Sequence, residues 1–140
     1  MTTELLAPAG GQEALIAAVQ SGADAVYMGF GAFNARRSAR NFSDEEFRAA
    51  VSYCHLRGVK VYLTLNTLVT DRELPALAAE ARTASECGVD AILVQDWGVL
   101  STLQKIIPDV PLHASTQMSL HTLSSVQEAA RLGMTRAVLA

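Results

Sequence analysis

The sequence predicts an α/β fold in which strands and helices alternate strictly, and three observations carry that prediction. A glycine closes a helix-like stretch and an apolar run follows it four times: GADAVYMG from Gly22, GVKVYLTLN from Gly58, GVDAILVQD from Gly88 and GMTRAVLA from Gly133. Each glycine stands where a helix C-cap belongs. The runs are apolar nearly throughout, the pattern of parallel strands covered on both faces. The stretches between them carry helix-period stripes and capping signals.

Taken in order, the first strand is ELLAP, Glu4 to Pro8, and the turn Pro8-Ala9-Gly10-Gly11 leads from it into a helix whose backbone N–H groups can face an anion. The second strand lies in GADAVYMG and is followed by a long loop from Gly29 to Asn41. The next helix starts at Ser43, whose hydroxyl caps while Glu46 completes a capping box, and it turns Phe47, Ala50, Val51 and Cys54 inward. After the strand in GVKVYLTLN, Thr70 with Glu73 repeats that device, and Leu74, Leu77, Ala81 and Ala84 face the sheet. After GVDAILVQD a helix runs from Trp97 to Ile107 with Leu100, Leu103 and Ile107 on one side, and Pro108 stops it. The fifth strand is PLHAS, Pro111 to Ser115, the following helix carries Leu123, Val126, Ala130 and Leu132 as its apolar stripe, and a sixth strand spans Arg136 to Ala140.

Two architectures satisfy this alternation: a doubly wound open sheet and a (β/α) barrel with strands in sequential order. A complete eight-fold barrel takes about 250 residues, whereas this chain has 140 and stops within its sixth strand. The expectation is a single partial domain over residues 1–140, the N-terminal part, about five and a half β-α units, of a TIM-type barrel truncated inside strand six. Its open sheet edges are candidates for self-association.

Half of the residues are hydrophobic, 18% are charged and the formal net charge is -3, which excludes a surface tuned throughout to polyanions. The longest apolar run, Ala14 to Val19, is too short to cross a bilayer, and Met1 to Glu4 lacks the positive start of a secretory signal, so a cytoplasmic, non-membrane protein is expected. Cys54 and Cys87 are far apart and read as reduced structural thiols.

In either architecture the site forms from the loops after the carboxyl ends of the strands. The candidates there are Asn34, Arg36, Arg37 and Arg40 after the second strand, Asn66 after the third, Gln95 and Asp96 after the fourth, and His113, Ser115 and Gln117 at the fifth. Alternation puts His113, Ser115 and Gln117 on one side, and Thr64 with Asn66 on one side. Each has a structural use as well: Asp96 can cap the fourth helix, Thr116 or Thr122 the fifth, and Asn66 can hold a turn. The three arginines suit a small carboxylate or phosphate at the barrel mouth, because guanidinium forks match such anions bidentately; their structural alternative is ion pairing with Asp44, Glu45 and Glu46. No metal site is expected, since neither His113 with His121 nor Cys54 with His55 has a ligating spacing, and no HExxH, GxSxG or GxxxxGK[ST] motif occurs. The catalytic residues stay unassigned.

The blocks ELLAPAG, GADAVYMG, FNARRSARNFS, VYLTLNTL, GVDAILVQDWGVL and PLHASTQMSLH, in that order, resemble the peptidase family U32 across nearly the whole chain. That resemblance implies one of two activities. Some members are collagenase-like peptidases; others are oxygen-independent hydroxylases of a ribosomal or transfer RNA base, with prephenate implicated, or of the ubiquinone ring. FNARRSARNF, TLNT and HASTQ are most similar to the branch acting on ribosomal RNA cytidine. The resemblance also implies an iron-sulfur cluster held by four cysteines beyond residue 140, with no cofactor inside this segment, so RNA is an expected partner through the longer protein. A third reading is a catalytically silent half-barrel.

Overall fold

A computed structural model describes residues 3–35 and 42–140 of the chain, and the expectations for Arg36, Arg37 and Arg40 lie outside those residues. Strands β1 (Leu6–Pro8), β2 (Ala25–Met28), β3 (Lys60–Leu65), β4 (Ala91–Val94), β5 (Leu112–Ala114) and β6 (Arg136–Ala137) alternate with helices α1 (Gln12–Gln20), α2 (Asp44–His55), α3 (Leu74–Cys87), α4 (Trp97–Ile106) and α5 (Leu123–Arg131), with a short 3-10 turn at Thr116–Met118. All neighbouring strands are parallel and the sheet order is β1-β2-β3-β4-β5-β6. Sequential order resolves the two architectures in favour of the barrel: the sheet is a curled half-barrel.

The pleat divides the side chains into two cores. Val26, Val61, Leu63, Ile92, Val94 and Leu112 face outward against the helices, where Leu15, Phe47, Leu77 and Leu103 are fully covered and Phe30 stacks on Phe47 at 4.7 Å between centroids. Ala25, Tyr62, Ala91 and Leu93 form a smaller core on the concave side, flanked by Leu6, Tyr27 and Val138. Both faces of the strands are thus buried, which is why the runs read as continuously apolar.

At the amino-terminal end the concave side is polar. Glu4, just ahead of β1, pairs with Arg136 at the start of β6 and accepts from Tyr62 Oη at 2.9 Å, with Lys60 3.8 Å away. This contact spans the whole sheet and holds its two ends toward each other.

The helix and strand signals hold with three corrections. Ser43 caps α2 in a complete capping box with Glu46, and Phe47, Ala50, Val51 and Cys54 are buried as expected. Thr70 and Glu73 do bond to each other, through Thr70 N–H and Oγ1 to Glu73 Oε2 at 2.8 and 2.9 Å. They form a turn ahead of α3, however, because Pro75 suits the first turn of a helix that begins at Leu74. In α5 the expected stripe is rotated: Leu123 is 74% and Leu132 40% exposed, and the buried residue is Ala129. Thr122 caps this helix by accepting from Ser125 N–H, and from that start the side at Val126 and Ala129 is the one turned inward. The sixth strand is shorter than the expected 136–140, although Val138 N–H still reaches Ala114 O at 2.9 Å. The repeat glycines close their helices as left-handed residues; Gly88, at φ 85°, caps α3 in a conformation that a β-carbon disfavours, and Gly22, Gly58 and Gly133 do the same work.

Candidate functional site

The carboxyl ends of the strands surround a cavity of about 310 Å³ at the mouth of the half-barrel. Its walls come from four places: Ala9 and Gly10 after β1, Gly29, Asn34 and Ala35 after β2, Asn66 after β3, and Ser115, Thr116 and Gln117 after β5. Tyr27, Thr64, Leu93 and Val138 form the part nearer the sheet. The pleat places Tyr27, Thr64, Leu93 and Ser115 there, since each lies an even number of residues from an inward-facing neighbour on its strand.

A chain of hydrogen bonds ties three of these loops together. Asn66 Oδ1 accepts from Ala35 N–H at 3.0 Å, Asn66 Nδ2 donates to Ser115 Oγ at 3.1 Å, and Ser115 Oγ accepts also from Gln117 N–H at 3.3 Å. Thr64 Oγ1 donates to Met28 O at 3.1 Å, so its hydroxyl joins β3 to β2. Asn34 is 1% exposed and its amide lies over Gly29, where a β-carbon would stand 2.6 Å from Asn34 Cγ. Gly29 is therefore the residue that makes room for Asn34.

The structure thus gathers Asn34, Asn66, Ser115 and Gln117 at one cavity and leaves three other candidates outside its lining. His113 faces the same side as Ser115 but sits deeper, edge-on to Tyr62 with centroids 5.0 Å apart. Burial, then the Arg136 charge, lowers its pKa to about 4, so the imidazole is neutral. Asp96 spends one carboxylate oxygen on Gly98 N–H (2.7 Å) and Val99 N–H (3.0 Å), capping α4. Gln95, on the same strand end, does not line the cavity either.

Sequence reasoning misses Tyr27 and Glu80, and it offers Thr116 only as a cap of the fifth helix, a role that Thr122 takes while Thr116 lines the cavity. Tyr27 was legible by alternation with the inward Ala25. Glu80 was legible by helical spacing, because it falls three residues after Leu77 and four before Ala84, inside the apolar stripe of α3. Its Oε2 accepts from Ala32 N–H at 3.2 Å, and its Oε1 is buried without a hydrogen-bond partner among the described residues.

No charged side chain lines the cavity among the described residues. What the walls offer is three primary amides, three hydroxyls and a phenol against an apolar floor, which suits a neutral planar group carrying both donors and acceptors. The hydroxyl of Ser115 accepts two hydrogen bonds and is paired with no base among the described residues, so it lacks there the activation of a nucleophile. The cysteines sit on the outer helices: Cys54 is buried in α2, where burial raises its pKa to about 11, and Cys87 ends α3, its pKa also raised by burial. Neither lies at the cavity, and no group of three or more His, Cys, Asp or Glu among the described residues could hold a metal ion. The residues present do not fit an iron-sulfur cluster.

Comparison with known proteins gives a consistent set of similarities. The model of Peptidase family U32 matches residues 10–140. The chain is 40% identical over 139 residues to a 23S rRNA 5-hydroxycytidine synthase of Escherichia coli, covering 98% of this chain and 20% of that protein. It is 36% identical over 137 residues to the tRNA hydroxylation protein P1 of Bacillus subtilis (98% and 32%) and 34% identical over 125 residues to a collagenase of Porphyromonas gingivalis (89% and 30%). The chain therefore spans a third or less of the length of these curated relatives. Among solved structures, a U32 peptidase superposes with a TM-score of 0.79 at 16% identity, over 99% of this chain and 58% of that one. No helix among the described residues is long and apolar enough to cross a membrane.

Proposed function

The chain belongs to peptidase family U32, and from that premise we propose that the protein it is part of is a cytoplasmic enzyme that hydroxylates a base of ribosomal or transfer RNA, and that the cavity receives the base. The observation that carries this reading is the lining itself: an uncharged pocket of amides and hydroxyls, of a size for one small planar group, at the face where such barrels bind substrate. The relatives named for RNA hydroxylation, at 36% and 40% identity, support it.

In this reading the target base leaves its stack and enters edge first. Asn34, Asn66 and Gln117 face its hydrogen-bonding edge, while Tyr27 and Leu93 supply apolar surface that excludes water. Asn66 is the pivot, because its amide also fixes Ala35 and Ser115. Arg36, Arg37 and Arg40 follow the wall carrying Asn34 in sequence, and we assign to them the anionic part of the substrate, a phosphate or an organic carboxylate. Hydroxylation without oxygen calls for redox chemistry; when bound, an iron-sulfur cluster would supply electron transfer, and its ligands would come from cysteines beyond residue 140.

The second reading, a collagenase-like peptidase, is favoured by the family description and by the relative named collagenase. Against it stands Ser115, a hydroxyl at the site with no base beside it among the described residues. The test uses the complete protein. Nucleosides from ribosomal and transfer RNA are analysed by mass spectrometry in cells lacking the gene, then after restoring wild type or Asn66→Ala. A hydroxylated nucleoside that vanishes, returns with wild type and fails to return with the variant is the expected result. An unchanged nucleoside profile together with gelatin cleavage by the pure protein would reverse the assignment.

A further inference from the structure

The wall of the cavity formed by the β2–α2 loop is held from behind by one carboxyl group. Glu80 projects from the middle of α3 and its Oε2 accepts from Ala32 N–H at 3.2 Å. Gly31 packs against the same carboxylate at φ 64°, and a β-carbon there would collide with it. Two residues further on, Phe33 is buried in the outer core and Asn34 enters the cavity wall. From the other side, the loop is anchored by Ala35 N–H on Asn66 Oδ1. The segment 31–35 is thus clamped at both ends, by an amide at the mouth and by a carboxyl group behind it.

We propose that Glu80 is a positioning residue for the Asn34 wall of the cavity, and that gain or loss of its proton changes how firmly that wall is held. The inference goes beyond the proposed reaction and does not depend on it. Its geometric basis is the asymmetry of the carboxyl group. One oxygen is matched to the loop, while Oε1 is buried with no hydrogen-bond partner among the described residues. An ionised carboxylate binds Ala32 N–H strongly but carries an unpaired buried oxygen; a protonated one relieves that burial at the cost of a weaker bond to the loop.

The groups around it set the balance near neutrality. Burial is the largest influence and raises the pKa to about 7, against the lowering effect of the Ala32 N–H, and Asp44 at the start of α2 raises it further. Among the described residues, Asp44 is the charged residue of α2 that acts on Glu80. On α3 itself, Glu73 lies two turns earlier and bonds to Thr70.

The test is a titration followed by amide NMR on the chain. The Ala32 backbone amide and the Asn34 side-chain amide are tracked from roughly pH 5.5 to 8.5, a range that brackets a carboxyl titrating near neutrality. Wild type is expected to give one shared midpoint near 7 for both signals. Glu80→Gln, which keeps the shape, is expected to abolish both transitions, and Asp44→Asn to keep them with a lower midpoint. Gly31→Ala, by displacing the carboxyl group, is expected to uncouple Asn34 from Ala32. The proposal is overturned if the transitions persist in Glu80→Gln, if they vanish only in Asp44→Asn, or if Asn34 is silent while Ala32 titrates. None of these readouts needs RNA, so failure here and failure of the hydroxylase reading are told apart.

Discussion

Two titratable groups, the buried His113 and the half-buried Glu80, pull the stability of this fold in opposite directions over the same range of pH. His113, buried beside Tyr62 and within the field of Arg136, has its pKa lowered from 6.5 to about 4. The native state therefore resists the proton that the unfolded chain accepts, and stability is lost as pH falls from about 6.5 toward 4. Glu80 has its pKa raised from 4.5 to about 7. Its favourable contribution is fully present below about pH 4.5 and is lost as pH rises through about 7, so on acidification it gains stability while His113 loses it. At about 1.4 kcal/mol per unit, the His113 effect integrates to about 2 kcal/mol between pH 7.5 and 5. The Glu80 effect is of the same order, reduced somewhat by the solvent that reaches part of its side chain. Denaturant unfolding of wild type is expected to give nearly constant stability from pH 7.5 to 5, because the two terms offset each other. Glu80→Gln should lose about 2 kcal/mol over that interval, and His113→Gln should gain about 1 to 2. The double variant should be flat again. Only the slopes are compared, so a constant cost of either substitution does not matter. Parallel curves for wild type and both single variants would refute the reasoning. Glu4, whose pKa is lowered by Arg136, acts at lower pH and leaves this window clear.

Asn66→Ala leaves Ala35 N–H without its partner and takes from Ser115 Oγ one of its two donors, at about 1 to 3 kcal/mol for a group that water cannot reach; in the complete enzyme, a fall in turnover of roughly 5- to 150-fold is expected by quantitative nucleoside analysis. Asp96→Ala removes an N-cap and should lower stability by about 1 kcal/mol in thermal unfolding while leaving substrate use intact; a selective loss of activity would return Asp96 to the site. Arg36→Ala and Arg37→Ala should weaken RNA binding and flatten its salt dependence with little change in melting temperature, whereas Asn66→Ala should leave the salt slope alone. The isolated chain, with one edge of β1 and one of β6 unpaired, is expected to sediment as more than a monomer, and a strictly monomeric, cooperatively unfolding species would contradict that.

The barrel order was legible because each link was local. Four glycines ended helices, Ser43 and Glu46 opened one, and the strands declared their two-sided burial by composition. The cavity was legible to the extent that strand alternation reaches, which covers Asn66 and Ser115. It over-reached at His113, which obeys the same parity as Ser115 but lies two residues deeper, among Tyr62, Arg136 and Glu4. Parity names a face and says nothing about depth. The face of α5 was misjudged for a similar reason, since the helix start at Thr122 sets its rotation more than its apolar residues do. Glu80 was missed because acids in helices are ordinarily solvated, and only its place between Leu77 and Ala84 marks it as different.

The polarity of the concave side divides the work of the molecule. Its amino-terminal end concentrates Glu4, Lys60 and Arg136 around Tyr62, where partial burial strengthens each charge's hold on the others and ties the first strand to the sixth. Its carboxyl-terminal end carries amides and hydroxyls over an apolar floor, with no charged side chain among the described residues lining the cavity. An isolated ion at that depth would demand a permanent counter-charge, whereas an amide keeps both a donor and an acceptor ready for a ligand and costs less to bury. A neutral heterocycle can therefore be read by the walls, while any phosphate or carboxylate attached to it has to meet its charge outside them. The sequence places Arg36, Arg37 and Arg40 immediately after the wall residue Ala35, so the loop that shapes the pocket is also the one able to supply that charge. Under the proposed reading, recognition of the planar group and neutralisation of its anion would be separate tasks of one β2–α2 connection, and Arg36→Ala would then weaken the hold on the anion without altering the walls that face the base.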